Sequence, residues 1–330
     1  MLPATAPAGA LPRTMPAMGF DRHGASERPA LRELPVPTPG PGQLLVRLHA
    51  AGVGHWDRLE RDGVFARRSS RPARFPLVTG AEGAGVVVAA GPGAGDFQAG
   101  ERVYGLLLRH AGEPGTHAGF ALFEGRLARR VPPWISMDQA AVLPVDGMVA
   151  LRGLRDALAA GARDALVVFG ASGGVGHLAL QLARAMGLRT LAIASGPDGL
   201  RLAARLRADE VVDGRRRGFE REVARFAGTR ALALLTAGGE AAARVVAAMP
   251  AGSRVAWPEG VGVAPAPRGG TGPGAYATRF EPALLDALHA HAIGNRLLPH
   301  VSRRFPLRAL SRAFDAIAEH HLGRIAVLTA

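Results

Sequence analysis

The segment Ala165–Gly187, ALVVFGASGGVGHLALQLARAMG, decides how this chain is read. The apolar run Ala165–Phe169 has the length and make-up of a buried parallel strand. It runs straight into glycines at 170, 173, 174 and 176. Val175, Leu178, Ala179, Leu182, Ala183 and Met186 then recur at helical spacing. A strand, a glycine turn and a helix in this order bring backbone N–H groups and the positive end of a helix up to a pyrophosphate. The glycines alone are a weak signal, and the flanking strand and helix are what make the motif specific. The competing reading is a glycine-rich turn with no ligand. The reading adopted makes Gly170, Ala171, Ser172, Gly173, Gly174, Val175 and Gly176 the cradle of a dinucleotide.

Strands and helices alternate on both sides of this segment. Met137–Leu143 and Gly147–Ala159 read as helices. Thr190–Ala194 precedes a helix at 199–206, Val211–Val212 one at 219–226, and Leu232–Leu235 one at 239–248, with Ser253–Trp257 closing the series. Repeated βα units imply a doubly wound parallel sheet with helices on both faces. Residues 30–135 differ. Gln43–Ala51, Gly85–Ala90, Arg102–Leu107 and Phe120–Phe123 read as short strands between turn signals, which makes this part β-rich and barrel-like. The tail is mixed, with helices at 281–293 and 307–319 and a strand Ile325–Leu328. Residues 264–278, APAPRGGTGPGAYAT, read as a flexible crossing back to the first region. The α/β chain thus divides into a flexible arm (1–14), a β-rich domain (15–136), a dinucleotide-binding domain (137–275) and a return to the first domain (276–330).

Composition narrows the chemistry. The 330 residues are 48% hydrophobic and contain no cysteine, which removes thiol nucleophiles, disulfides and Cys-ligated zinc. Every one of the 40 basic residues is arginine, so lysine chemistry is excluded as well. The net charge of +13 is spread along the chain, and aromatic residues are only 5%, too few for base-stacking platforms. Nucleic acid is therefore not an expected partner. No run reaches the ~18 apolar residues of a membrane span. The opening MLPATAPAGALPRT lacks the pattern of a secretory signal, so the expected compartment is the cytoplasm.

In order, LRELPVPTPGPGQLLVRLHAAGVGHWD, PLVTGAEGAGVVVAAGPG, AGERVYGL, AAVLPVDGMVAL, FGASGGVG and FPLRAL…GRIAVL resemble the medium-chain dehydrogenase/reductase superfamily, specifically its zinc-independent quinone oxidoreductase branch. The resemblance runs from about Met18 to Leu328. It implies a GroES-like β-barrel domain, an inserted Rossmann domain and a cofactor cleft between them. It also implies a homodimer acting on a small-molecule substrate.

The departures from zinc-dependent relatives are equally informative. Those need a cysteine near Gly54 and a histidine at Ala81, and neither is present. His55, His110, His117 and Glu82 lack zinc-ligand spacing, so no metal site is expected. Without a Lewis acid, alcohol oxidation loses its support. Reduction of a quinone or an α,β-unsaturated carbonyl remains feasible.

The cofactor reading is NADPH. An NAD site carries Asp or Glu ~20 residues past the glycine turn, on the ribose 2′-hydroxyl. Here that place is Ala194–Ser195, with Arg201 downstream and Asp198 between them. The family's lysine appears as Gly199 and its tyrosine as Gly214. Arg215, Arg216 and Arg217 either compensate as phosphate ligands or form a solvated loop. Val149 stands where many relatives carry a threonine beside the nicotinamide. Ala237 and Gly238, after the strand Leu232–Leu235, complete the expected cofactor-binding set.

Catalytic candidates are fewer. Gly54-His55-Trp56-Asp57 aligns with a family loop that lines the substrate cleft. His55 can donate a proton near neutral pH, or it can fill the loop while Asp57 satisfies backbone donors. Tyr104 is a further donor candidate or a core residue. Asp146 is read as the N-cap of the helix at 147–159. The activity expected is NADPH-dependent reduction of quinones or enones. The alternatives are a nucleotide-binding protein with little turnover and a pathway-specific enoyl reductase.

Overall fold

The computed structural model describes residues 11–68, 73–107, 113–262 and 274–329. Residues 1–10 of the expected arm, His110 and the stretch 264–273 lie outside the described residues.

The first region contributes β1 (Thr14–Phe20), β2 (Ala30–Pro35), β3 (Gln43–Val53), α1 (His55–Arg61), β4 (Leu77–Val78), β5 (Glu82–Ala90), β6 (Arg102–Leu106), β7 (Phe120–Glu124) and β8 (Ala128–Arg130). Two helices follow, α2 (Met137–Ala141) and α3 (Pro144–Arg152). The alternating part then runs β9 (Ala165–Phe169), α4 (Gly174–Ala185), β10 (Arg189–Ala194), α5 (Gly196–Arg205), β11 (Glu210–Asp213), α6 (Glu220–Ala227), β12 (Leu232–Leu235), α7 (Glu240–Ala248), β13 (Arg254–Pro258) and β14 (Gly274–Tyr276). The chain closes with α8 (Pro282–Gly294), β15 (Val301–Pro306), α9 (Leu310–Ala318) and β16 (Arg324–Leu328).

The parallel sheet has the order β11-β10-β9-β12-β13-β14. Strand β9 lies in its middle and is buried on both faces. Leu166 and Val168 join one core with Leu178, Leu182 and Ala183 of α4, while Val167 and Phe169 join the other with Phe219, Val223 and Val245. This two-residue alternation explains why β9 is apolar throughout rather than alternating. Truncating a fully buried leucine here, such as Leu182, would cost about 2–5 kcal/mol. The chain proceeds from β9 to β10 and β11 on one side, then returns to place β12 on the other. The crevice at the C-terminal ends of β9 and β12 is the topological switch point where such sheets bind ligands.

The remaining strands form a seven-stranded sheet, β15-β16-β3-β5-β6-β8 with β7 also on β3, and a three-stranded sheet β2-β1-β4. Strand β16 pairs antiparallel with β3, Ile325 opposite Val53 and Ala326 opposite Gly52. The last strand thus returns to the region that opens the chain, and the parallel sheet is an insertion between β8 and β15.

Several boundaries differ from the sequence reading. Thr14 belongs to β1, opposite Pro35, so any arm ends before it. Gly274–Tyr276 is not part of a crossing but the sixth strand of the parallel sheet, in register with Ala256–Pro258. The chain rejoins the mixed sheet only at Val301, after α8 has packed on α3. The helix expected over 147–159 starts earlier, at Pro144, and widens into a π-helical turn at Gly153–Ala157. There the Tyr276 hydroxyl donates to the Val149 carbonyl at 3.0 Å. Gly153 leaves room for it, since a Cβ would lie 2.5 Å from that hydroxyl.

Candidate dinucleotide site

The glycine turn sits at the C-terminal end of β9 and opens α4. Gly170 has φ +76°, a conformation that favours glycine, and a Cβ there would also press on Thr236 Oγ1 at 2.5 Å. The Thr236 hydroxyl donates to the carbonyls of Phe169 (2.9 Å) and Gly170 (3.1 Å), locking the turn to the end of β12. A Cβ on Gly176 would overlap the Gly170 carbonyl, so the helix can approach the strand only with glycine here. Gly173 is different: its φ is −81° and its Cβ would meet only the Gly170 oxygen, at 3.4 Å. The first α4 hydrogen bond runs from His177 N–H to the Gly173 carbonyl at 3.0 Å. The N–H groups of Gly174, Val175 and Gly176 precede it and are available to an anion. Ala237 and Gly238 are exposed at the end of β12, beside the turn.

The neighbouring strand supplies the second half of the crevice. Ser195 occupies the N-cap position of α5, with Gly196 at φ +73°. Asp198 Oδ1 and the Arg215 guanidinium both reach this point, 3.1 Å and 3.2 Å from where a Gly196 Cβ would stand. Arg201 is exposed on the same helix. Asp198 accepts from Gly199 N–H at 2.9 Å and faces His320 at 3.2 Å. The Gly199 N–H, helped by His320, holds the Asp198 carboxyl below its ordinary range. Gly199 packs against the turn: a Cβ would lie 2.9 Å from Ser172 Oγ, which accounts for a glycine where a larger residue was expected.

A buried ionic cluster lies directly behind the turn. Arg324, from β16, donates from Nη1 to Asp146 at 2.8 Å and from Nη2 to Glu82, and its guanidinium stands 4.7 Å from the Trp56 ring centre. Glu82 also accepts from Val145 N–H at 2.8 Å. Burial pushes the Glu82 carboxyl up to about 8, against the pull of Arg324. Asp146 is therefore not an N-cap. It lies in the first turn of α3 and is held by an arginine 178 residues away.

The catalytic candidates separate. Asp57 is fully buried and accepts from Gly54 N–H (2.8 Å) and Gly80 N–H (3.0 Å), which pins the start of α1 to the loop after β4. Tyr104 is fully buried, its hydroxyl 3.0 Å from His289 Nδ1, and burial pushes it well above the ordinary phenol range. His55, at the first position of α1, is exposed. Val149 lies partly exposed on α3.

The residues do not fit a catalytic zinc. Any side chain on Gly54 would overlap the Trp56 indole, so a ligand there has no space. His117 is buried between Thr79 (2.8 Å) and the Gly52 carbonyl (3.1 Å), Glu82 is held in its cluster, and His55 is at the surface. Among the described residues no group of three His, Cys, Asp or Glu is placed to hold a metal.

Residues 40–132 match the alcohol dehydrogenase GroES-like domain. Over its full length, an alcohol dehydrogenase superfamily protein from Novosphingobium aromaticivorans is 30% identical, with a TM-score of 0.83 and 96% of this chain and 100% of that chain covered. A structure described as an NAD-dependent alcohol dehydrogenase is 28% identical, with the same TM-score of 0.83 and the same coverage of 96% and 100%. Human quinone oxidoreductase is 29% identical over 224 residues, which are 68% of this chain and 66% of that protein. The chain spans 57% to 66% of the length of the first curated relatives that it matches. The chain belongs to the alcohol dehydrogenase superfamily, the medium-chain dehydrogenases/reductases.

Proposed function

We propose that this oxidoreductase uses NADPH, without zinc, to reduce quinones or α,β-unsaturated carbonyls. The observation that carries the reading is the pairing of the glycine turn with an adjacent ribose position where Ser195 and the Arg215 guanidinium stand and β10 itself ends without a carboxylate, the nearby Asp198 Oδ1 being engaged by the Gly199 N–H. A carboxylate there would repel a 2′-phosphate, whereas a guanidinium and a hydroxyl suit it.

When bound, the nicotinamide supplies a hydride to the electron-poor carbon of the substrate. The N–H groups of Gly174, Val175 and Gly176 would hold the pyrophosphate, with Ala237 and Gly238 beside it at the end of β12. Val149 offers an apolar flank at the nicotinamide end. A proton must reach the other end of the reduced bond, and His55, exposed at the start of α1, is the side chain assigned to donate it. Trp56 and Gly54 leave the cleft without a metal ligand set, so substrate activation falls to electrostatics. A second reading, cofactor binding with little turnover, draws on the fact that Asp57 and Tyr104 are both committed to structural hydrogen bonds.

The membership of the superfamily leaves the choice of cofactor to be measured, since one similar structure is described as NAD-dependent. Among the described residues no helix is long and apolar enough to cross a membrane, and the cytoplasm remains our proposed location. Following NADPH and NADH oxidation against a panel of small quinones and enones tests the reading. Turnover with NADPH supports it. Tight NADPH binding with no turnover on the panel replaces it with the second reading.

A further inference from the structure

The third residue after the first helical glycine is a histidine that no side of the reaction uses. His177 is fully buried in the second half-turn of α4. Its Nδ1 lies 2.9 Å from the Gly173 carbonyl, and its Nε2 lies 3.0 Å from the backbone N–H of His300. A carbonyl can only accept and a backbone N–H can only donate, so the ring is the neutral tautomer with the proton on Nδ1. Both nitrogens are satisfied, at no cost in buried unpaired groups.

The Gly173 carbonyl therefore receives two bonds, one from the His177 N–H and one from the His177 ring. This fixes the peptide that joins Gly173 to Gly174, and with it the direction of the Gly174 N–H. The other end of the imidazole grips the segment that leads into β15. Gln181, one helical turn further on, grips the same segment twice: its amide donates to the Leu298 carbonyl at 3.0 Å and accepts from Leu298 N–H at 2.9 Å. The segment is in turn tied to β16, where Arg324 N–H donates to the His300 carbonyl at 2.8 Å. Gly323 N–H closes the circuit on the turn itself, at 2.7 Å from the Ser172 carbonyl. The carbonyls of Ser172 and Gly173 are thus both engaged by the polypeptide, on the side away from the free N–H groups.

We propose that His177 is a positioning residue for the dinucleotide turn: it orients the Gly173–Gly174 peptide and anchors it to the segment before β15, so that its loss weakens NADPH binding. The proposal rests on the cofactor reading given above. The anchoring matters because a turn whose N–H groups are already aimed pays less ordering entropy when the anion arrives.

Titration calorimetry with NADPH on the whole protein tests it, using His177→Leu, His177→Asn and Gly173→Val, with melting temperatures measured without cofactor. His177→Leu should raise the dissociation constant about ten-fold, equivalent to about 1.4 kcal/mol. His177→Asn keeps an amide N–H within reach of the Gly173 carbonyl and should recover most of that loss. Wild-type affinity in a folded His177→Leu protein overturns the proposal. So does an equal loss in His177→Leu and His177→Asn that tracks an equal fall in melting temperature, which is the mark of a merely structural residue. Gly173→Val separates the two layers of inference. If it abolishes binding while His177→Leu does not weaken it, the cofactor reading stands and the role of His177 falls. If Gly173→Val binds NADPH normally, the cofactor lies elsewhere and both fall.

Discussion

A side chain on Gly174 would overlap the carboxylate of Asp146, so the cofactor turn and the buried ion cluster behind it are one packed unit. The Arg324 side chain stands against the same point, 3.1 Å from where that Cβ would be. Gly174→Val is consequently not a clean probe of cofactor binding. The valine has to displace Asp146 from Arg324, and the expected loss is about 1–3 kcal/mol of stability from overpacking, before any ligand is added. Gly173→Val meets only the Gly170 oxygen at 3.4 Å and should melt close to the parent temperature. Thermal shifts with and without NADPH decide it. The Gly174 variant should melt low in both conditions, and the Gly173 variant should lose only the gain that cofactor provides.

The same cluster predicts a pH dependence of stability. Burial raises the Glu82 carboxyl from its ordinary 4.5 to about 8 in the folded protein. Between these values the native state binds the proton and the unfolded chain does not. Stability contributed by this group is therefore full below pH 4.5 and is lost as pH rises through about 8. Glu82→Gln remains neutral and can still accept from Val145 N–H. Urea midpoints for the variant should fall less between pH 5 and pH 8 than those of the parent. Identical pH dependence in the two proteins would mean that Glu82 is ionised throughout.

The glycine turn and the βα alternation were legible because their signals are local: a strand, its turn and its helix fit within Ala165–Gly187. Leu232–Leu235 was found without error for the same reason. What stayed hidden depends on partners far apart in the chain. The Arg324–Glu82 pair spans 242 residues and the Tyr104–His289 pair 185. Asp146 read as a cap because its neighbours form a helix, while its actual partner lies on the last strand. The seven-residue α1 carries little apolar pattern of its own and is held by Asp57 at its start. Strands β1 and β15 carry weak local signals: Ser302, Arg303 and Arg304 interrupt the apolar residues of β15, and β1 opens in a stretch of Pro and Ala that resembles a loose arm. Arg215 was one of three adjacent arginines, and nothing in the sequence distinguishes the one that turns towards Gly196.

That arginine gives the sharpest test of cofactor choice. Arg215→Ala should weaken NADPH about ten-fold, the scale of one charge-assisted hydrogen bond, and leave NADH unchanged. Ser195→Asp should invert the preference, since it sets a negative charge against the 2′-phosphate. Fluorescence titration of both nucleotides measures this directly. A parent protein that prefers NADH, or an Arg215 variant weakened equally for both, removes the assignment.

Activity should be indifferent to metal. Trp56 occupies the space that a ligand on residue 54 would need, and His117 is consumed by Thr79 and Gly52. Prolonged chelation followed by assay of NADPH oxidation should show no change in rate. A loss on chelation that zinc restores would require a ligand set that the described residues do not form.

The source of the proton is the last point that mutation can divide. Tyr104 is fully buried, and its hydroxyl is spent on His289. Tyr104→Phe should therefore cost about 1 kcal/mol of stability, the net worth of one hydrogen bond, with no effect on the rate. His55 is exposed at the start of α1 and is the donor proposed above. His55→Ala should slow turnover of an enone by about 100-fold or more if the imidazole is the general acid, with NADPH affinity unchanged. His55→Gln, which fills similar space without a titratable proton, should be as slow. If Tyr104→Phe abolishes turnover in a stable protein while His55→Ala retains it, the roles assigned to these two residues are reversed.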